Sequence, residues 1–191
     1  MIEARIAPFI NEVFTVTSKW WEQPRNHRGL DISTGTGSPL YSMCNGQVVR
    51  SDYSDSYGWV IIMKDTNTKM GFLYAHMRDR PLKKVGEFVT IGEQVGYEGS
   101  TGDSEGIHLH LEMQDLSLHD WIYHAPKETY TNPTLFMGIP NVEGTQCIYN
   151  GTPGPGPTPT TRKKNKFPFV IYARKLREKS TFIWQNKENI I

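Results

Sequence analysis

The sequence lacks most of the features that would assign it to a class at a glance. Of 191 residues only two are cysteine, Cys44 and Cys147. That is too few for a disulfide framework or a thiolate zinc site. The longest apolar run is Trp59-Val60-Ile61-Ile62-Met63, far short of the roughly 18 residues that a membrane span requires. The opening residues put Glu3 and Pro8 where a signal peptide places its apolar stretch, so no secretory leader is expected in this chain. Long stretches of apolar residues at helical spacing are missing as well. Composition and these absences together set aside a disulfide scaffold, a membrane protein and a wholly disordered chain. The length still suffices for a real hydrophobic core.

Net charge is nearly absent too, with 21 Lys and Arg against 20 Asp and Glu, but the balance hides two unlike parts. Residues 1–161 hold 12 basic and 18 acidic side chains, a net of −6, and residues 162–191 hold 9 and 2, a net of +7. Between them lies Gly151-Thr152-Pro153-Gly154-Pro155-Gly156-Pro157-Thr158-Pro159-Thr160-Thr161. Such a stretch neither packs a core nor joins a sheet ladder, and it reads as a semi-extended linker. The expected organisation is a domain at 1–150, a Pro/Gly linker at 151–161 and a basic tail at 162–191.

What the chain does have is β-forming sequence. Residues 13–17, 40–50, 59–64, 71–77 and 107–113 are rich in β-branched and aromatic side chains, and most are bounded by Gly, Asn or Asp. The near-repeat Val85-Gly86-Glu87-Phe88-Val89 and Ile91-Gly92-Glu93-Gln94-Val95 reads as two short strands with glycine turns. The expected class is all-β.

Four of the six histidines sit where strands would organise them. In His108-Leu109-His110-Leu111-Glu112, a period of two sends His108, His110 and Glu112 to one face and the leucines to the core. In His27-Arg28-Gly29-Leu30-Asp31, even spacing puts His27 and Asp31 on one face but about 13 Å apart in a straight strand. Sharing an ion therefore requires a bend, which Gly29 permits. His76 ends Phe72-Leu73-Tyr74-Ala75-His76 and would share the face of Phe72 and Tyr74. Imidazole and carboxylate suit Zn²⁺, and a catalytic zinc takes three protein ligands and leaves a position for water. One Asp and two His would meet that need, leaving two His for proton transfer and for an oxyanion. Which member of His108-x-His110 binds is open from spacing alone. His119 and His124 follow the last strand and read as loop residues.

Taken together and in order, these segments resemble the lysostaphin/LytM-type zinc endopeptidases that cut peptide bonds in bacterial peptidoglycan. The resemblance rests on His27-Arg28-Gly29-Leu30-Asp31-Ile32, Gly37-Ser38-Pro39-Leu40-Tyr41, Asn45-Gly46-Gln47-Val48-Val49 and Tyr57-Gly58-Trp59-Val60-Ile61-Ile62. It continues through Tyr74-Ala75-His76-Met77, the two glycine-turn segments, Gly99-Ser100-Thr101-Gly102, His108-Leu109-His110-Leu111-Glu112 and Asn132-Pro133-Thr134-Leu135-Phe136. It implies a compact antiparallel β domain whose groove carries one zinc on its floor. By the same resemblance His27, Asp31 and His110 are the zinc ligands. His76 and His108 are similar to the pair that moves the proton of the attacking water and holds the developing oxyanion. Residues 17–26, with Trp20 and Trp21, and residues 101–107 would form groove walls. Glu112 is a candidate for orienting a ligand. Two positions depart from the family pattern. Ile107 stands where proline is usual and Leu111 where an aromatic is common, which alters one wall rather than the ligand set.

The implied partners are peptidoglycan peptides. For the tail, the expected partner is an anionic wall polymer or another virion protein. Nucleic acid is not expected, because the body is acidic and carries no binding motif. Without a leader, action outside the bacterial membrane implies release by a phage, carriage on a virion, or excision from a longer secreted chain. The alternative is a non-catalytic wall-binding or phage structural domain of the same fold.

Overall fold

The computed structural model describes residues 1–152 apart from Arg25 and Leu118. The tail at 162–191, and all of the linker but Gly151 and Thr152, lie outside the described residues. The strands are β1 (Ile2–Glu3), β2 (Val13–Ser18), β3 (Leu30–Ser33), β4 (Pro39–Tyr41), β5 (Gly46–Ser54), β6 (Gly58–Asp65), β7 (Met70–Met77), β8 (Phe88–Val89), β9 (Gln94–Tyr97), β10 (Leu109–Asp115) and β11 (Gln146–Ile148). Nine form one sheet in the order β1-β11-β2-β3-β10-β7-β6-β5-β8, and β4 pairs with β9 in a second sheet. All pairs are antiparallel except β1 with β11. Helix among the described residues is limited to a 3₁₀ turn at Lys127–Thr129 and α1 (Pro133–Met137). The fold is all-β, as the sequence leads one to expect.

Period-two alternation explains why the large sheet has two different faces. Leu109, Leu111 and Met113 of β10 are fully buried, together with Phe72 and Tyr74 of β7 and Ile61 and Met63 of β6. They belong to the main core, which also takes Phe9, Phe14, Leu30, Ile32 and Leu40. The opposite face carries a smaller cluster of Val60, Ile62, Leu73 and Ala75, covered by Tyr57, Trp121 and Tyr123. Residues paired across a ladder share a face. His110 opposes Ala75 and Glu112 opposes Leu73, so the polar side of β10 stands on this second face.

Two expectations need correction. Residues 40–50 are not one strand: β4 and β5 belong to different sheets, and the chain turns at residues 42–45. Ser42 Oγ donates to the Cys44 carbonyl (2.8 Å) and accepts from the Cys44 amide (3.2 Å). A serine that captures nearby backbone groups in this way offers the chain an alternative to the ladder. The last site strand begins at Leu109 rather than 107, His108 making only an isolated bridge with Gly99. Cys44 and Cys147 are buried and unpaired.

Candidate metal centre and cleft

The site starts from ladder register. Asp31 on β3 lies directly opposite His110 on β10, and Asp31 Oδ1 is 2.8 Å from His110 Nδ1. His27 lies outside β3, in a loop closed by the Trp21 amide donating to the His27 carbonyl (2.6 Å). That bend removes the separation a straight strand would impose. His27 Nε2 sits 3.1 Å from Asp31 Oδ1 and 3.1 Å from His110 Nδ1. Gly29 does more than permit the bend, because a Cβ there would lie 2.5 Å from His110 Cε1 and 2.6 Å from its Nε2. The imidazole occupies the room that a side chain at 29 would fill.

Outer hydrogen bonds assign the tautomers. His27 Nδ1 faces the Lys19 carbonyl at 3.1 Å, so it carries the proton and Nε2 presents a lone pair. His110 Nε2 faces Glu112 Oε1 at 3.1 Å, so Nδ1 presents the lone pair. Tyr57 donates its hydroxyl to the same Glu112 oxygen at 3.0 Å. With both rings neutral, the inward atoms, His27 Nε2, Asp31 Oδ1 and His110 Nδ1, are three acceptors gathered within 4.8 Å. Such a set is satisfied by a cation.

The electrostatics agree. Burial raises the Asp31 carboxyl, yet hydrogen bonds to His110 and His27 outweigh it and hold the group well below the usual carboxylate range. Burial lowers His110, but the bonds and charges of Asp31 and Glu112 prevail and raise it to about 10. Positive charge is stabilised at this point, and two nitrogens with one carboxylate oxygen fit Zn²⁺. Burial, followed by the neighbouring Glu112 charge, drives the Tyr57 phenol far upward, which keeps it a donor.

His76 reaches the same place by an irregularity. Alternation along β7 would send it to the core with Phe72 and Tyr74. Between Ile61 and Trp59 the register of β6 against β7 shifts, and His76 adopts φ 55°. A bulge of this kind re-aims a side chain. The His76 ring lies 4.8 Å from that of His108 and 5.8 Å from that of His110, centroid to centroid. His76 Nδ1 donates to the Thr101 carbonyl at 2.8 Å, and His108 Nδ1 to the Gly106 carbonyl at 2.9 Å. Both rings therefore offer Nε2 to the cleft. Burial, with His110 next, lowers His76 to about 4, so it is neutral at pH 7. His108 Nε2 lies 3.8 Å from Asp31 Oδ1.

The family model for Peptidase family M23 matches residues 25–132. The chain belongs to peptidase family M23. Over 97 residues it is 34% identical to the peptidoglycan DD-endopeptidase ShyC of Vibrio cholerae, covering 51% of this chain and 22% of that protein. Over 115 residues it is 29% identical to the DD-carboxypeptidase/endopeptidase Mpg of Neisseria meningitidis, covering 60% and 25%. The match thus spans about a quarter of these relatives' length. Among solved structures, a catalytic-domain variant of the prophage-encoded M23 protein EnpA from Enterococcus faecalis aligns with TM-score 0.53 and 28% identity. That alignment covers 67% of this chain and 95% of the EnpA domain. Lysostaphin from Staphylococcus simulans aligns with TM-score 0.55 and 25% identity, covering 81% and 59%.

Around the M23 site runs a cleft of about 410 Å³. Asp103, Ser104 and Glu105 line it, so residues 101–107 do form a wall. Among the described residues of 17–26, only Asn26 lines the cleft. Trp20 and Trp21 instead pack against each other at a tilt, ring centroids 5.8 Å apart, under the Lys127 ammonium. Loop residue His124 also lines the cleft, while His119 does not. The sequence gives no hint of the Tyr57 hydroxyl bond or the Thr101 carbonyl, because both roles depend on which loops fold over the sheet. Glu112 was visible from alternation, and its bond to His110 is the geometry that alternation predicts.

Proposed function

We propose that this chain is a zinc-dependent endopeptidase that hydrolyses cross-link or stem-peptide amides of bacterial peptidoglycan. The observation that carries the reading is the convergence of His27 Nε2, Asp31 Oδ1 and His110 Nδ1, each turned inward by its own surroundings. Membership of M23 and similarity to named peptidoglycan endopeptidases support peptidoglycan as the substrate. The three groups would hold the ion as two neutral imidazoles and one carboxylate. Zinc held there lowers the pKa of water to about 7 and polarises a carbonyl.

The protein's own groups complete the reaction. His76 and His108 have their Nδ1 atoms committed to carbonyl oxygens, so each meets substrate through Nε2. A neutral Nε2 accepts the proton of the attacking water as the new C–O bond forms. The ring, now a donor, returns that proton to the leaving nitrogen as the C–N bond breaks, and its partner ring stabilises the oxyanion in its protonated form, in which Nε2 also carries a hydrogen. The two histidines divide these tasks between them. Glu112 fixes the His110 ring, and Tyr57 fixes Glu112.

The test is metal dependence on purified full-length chain. We expect about one zinc per chain by elemental analysis, loss of wall hydrolysis in chelator and recovery on adding zinc. Hydrolysis that persists after complete removal of zinc would refute the reading. Release within the host by a phage lysin, or carriage on a virion, remains part of this proposal as the route to the wall.

A further inference from the structure

Arg28 is the only lysine or arginine lining the cleft among the described residues, and Asp31, Asp103, Glu105 and Glu112 line the same cleft. Its Nε is buried without a hydrogen-bond partner. Three other arginines of the body are engaged: Arg5 with the Leu135 carbonyl, Arg50 with Asp52, Arg78 with Asp79. Glu112 does not neutralise Arg28 through an ion pair. Its Oε1 already receives His110 and Tyr57, and its Oε2 is itself buried without a donor. The Arg28 charge nevertheless reaches the cleft floor. Burial and then Glu112 raise the Tyr57 and Tyr130 phenols, and Arg28 pulls both back.

A guanidinium is a planar fork matched to carboxylate, and a buried donor on a charged group gains most from a charged acceptor. The wall residues Asp103 and Glu105 repel anions from the rest of the cleft. Apart from the proposed zinc, an anionic group on a bound peptide therefore has one favourable position among the described cleft residues. We propose that Arg28 receives a free carboxylate of the wall peptide, so that the cleft selects a carboxylate-bearing stem peptide over an uncharged glycine bridge. This rests on the peptidase reading above and makes Arg28 a specificity residue, not a participant in bond cleavage.

The experiment measures binding rather than turnover. Full-length chain carrying His76→Ala is loaded with zinc and titrated calorimetrically with a synthetic stem pentapeptide ending in D-alanyl-D-alanine. The peptide is supplied as free acid, amidated at its C-terminus, amidated at its glutamyl carboxyl, or amidated at both. Pentaglycine amide is the uncharged control. We expect the free acid to bind about tenfold more tightly than the doubly amidated peptide, with the singly amidated forms showing which carboxylate is read. Adding Arg28→Gln should erase that preference, Arg28→Lys should keep part of it, and pentaglycine amide should be unaffected by either. Equal weakening of acid and amide by Arg28→Gln, or no preference with Arg28 present, would overturn the proposal and leave Arg28 a structural counter-charge to Glu112. Zinc content of each variant shows that the site is intact, and Arg28→Lys serves if Arg28→Gln does not fold. A carboxylate preference in a chain that cuts no wall would sink the peptidase reading alone. Cleavage without such preference would sink the Arg28 assignment alone.

Discussion

Glu112 is 1% exposed and uses one oxygen to hold two donors, the His110 ring and the Tyr57 hydroxyl. In the proposed zinc centre its charge would make His110 a better ligand and fix which nitrogen faces inward. Replacing it with glutamine removes the charge and leaves a poorer acceptor in nearly the same volume. Glu112→Gln should lower zinc affinity about 10- to 100-fold, measured by competition with a chelator of known strength. Unchanged affinity would mean that the His110 ring is held by packing alone. At this scale the sequence was informative where geometry is local. The alternation of His108, His110 and Glu112 fixes their common face, and the structure bears that out. Tyr57 was beyond reach, since nothing in its neighbourhood shows that a loop 55 residues earlier in the chain closes over Glu112.

Elements place these residues by departing from regularity as much as by obeying it. Register alone brings Asp31 beside His110. The bend before β3 brings in His27, and the bulge in β7 brings in His76. Pattern reading assigns His76 to the core face because it assumes unbroken alternation, and a bulge leaves little trace in composition. Gly29 shows a second kind of constraint. A methyl group there would press on His110 and lie 2.9 Å from the Leu111 carbonyl, which is ladder backbone and cannot move aside. Gly29→Ala should therefore displace the imidazole, reducing zinc below one per chain, and should cost about 1–3 kcal/mol of stability from overpacking. Elemental analysis and a denaturant titration measure the two effects. A variant with full zinc content and unchanged stability would show that β3 has slack the structure does not display. Residues 40–50 depart from a single strand for a related reason: β-forming residues stand at both ends, but Ser42 and Cys44 turn the chain out of one sheet and into another.

At the scale of the whole molecule, composition and charge set the frame. The β class and the site follow from residues 25–132, the region of the M23 match. The charge split adds a separate question. With residues 1–161 at −6 and residues 162–191 at +7, attraction to a polyanion must come from the tail. An anionic wall polymer or another virion protein stands as the proposed partner of that segment, which lies outside the described residues. The −6 body bears on the proposed substrate as well: with Arg28 the one arginine lining the cleft among the described residues, the proposed discrimination among wall peptides is by charge.

The central claim is that the five residues His27, Asp31, His76, His108 and His110 make this chain cut wall peptides. It is tested most directly by mass spectrometry of the fragments that the zinc-loaded full chain releases from purified walls of differing bridge chemistry. The expected result is peptide fragments with new amino groups from at least one wall type, falling by about 10²- to 10⁴-fold in His76→Ala while that variant keeps its zinc. Walls of every type left intact by fully zinc-loaded protein would contradict the account.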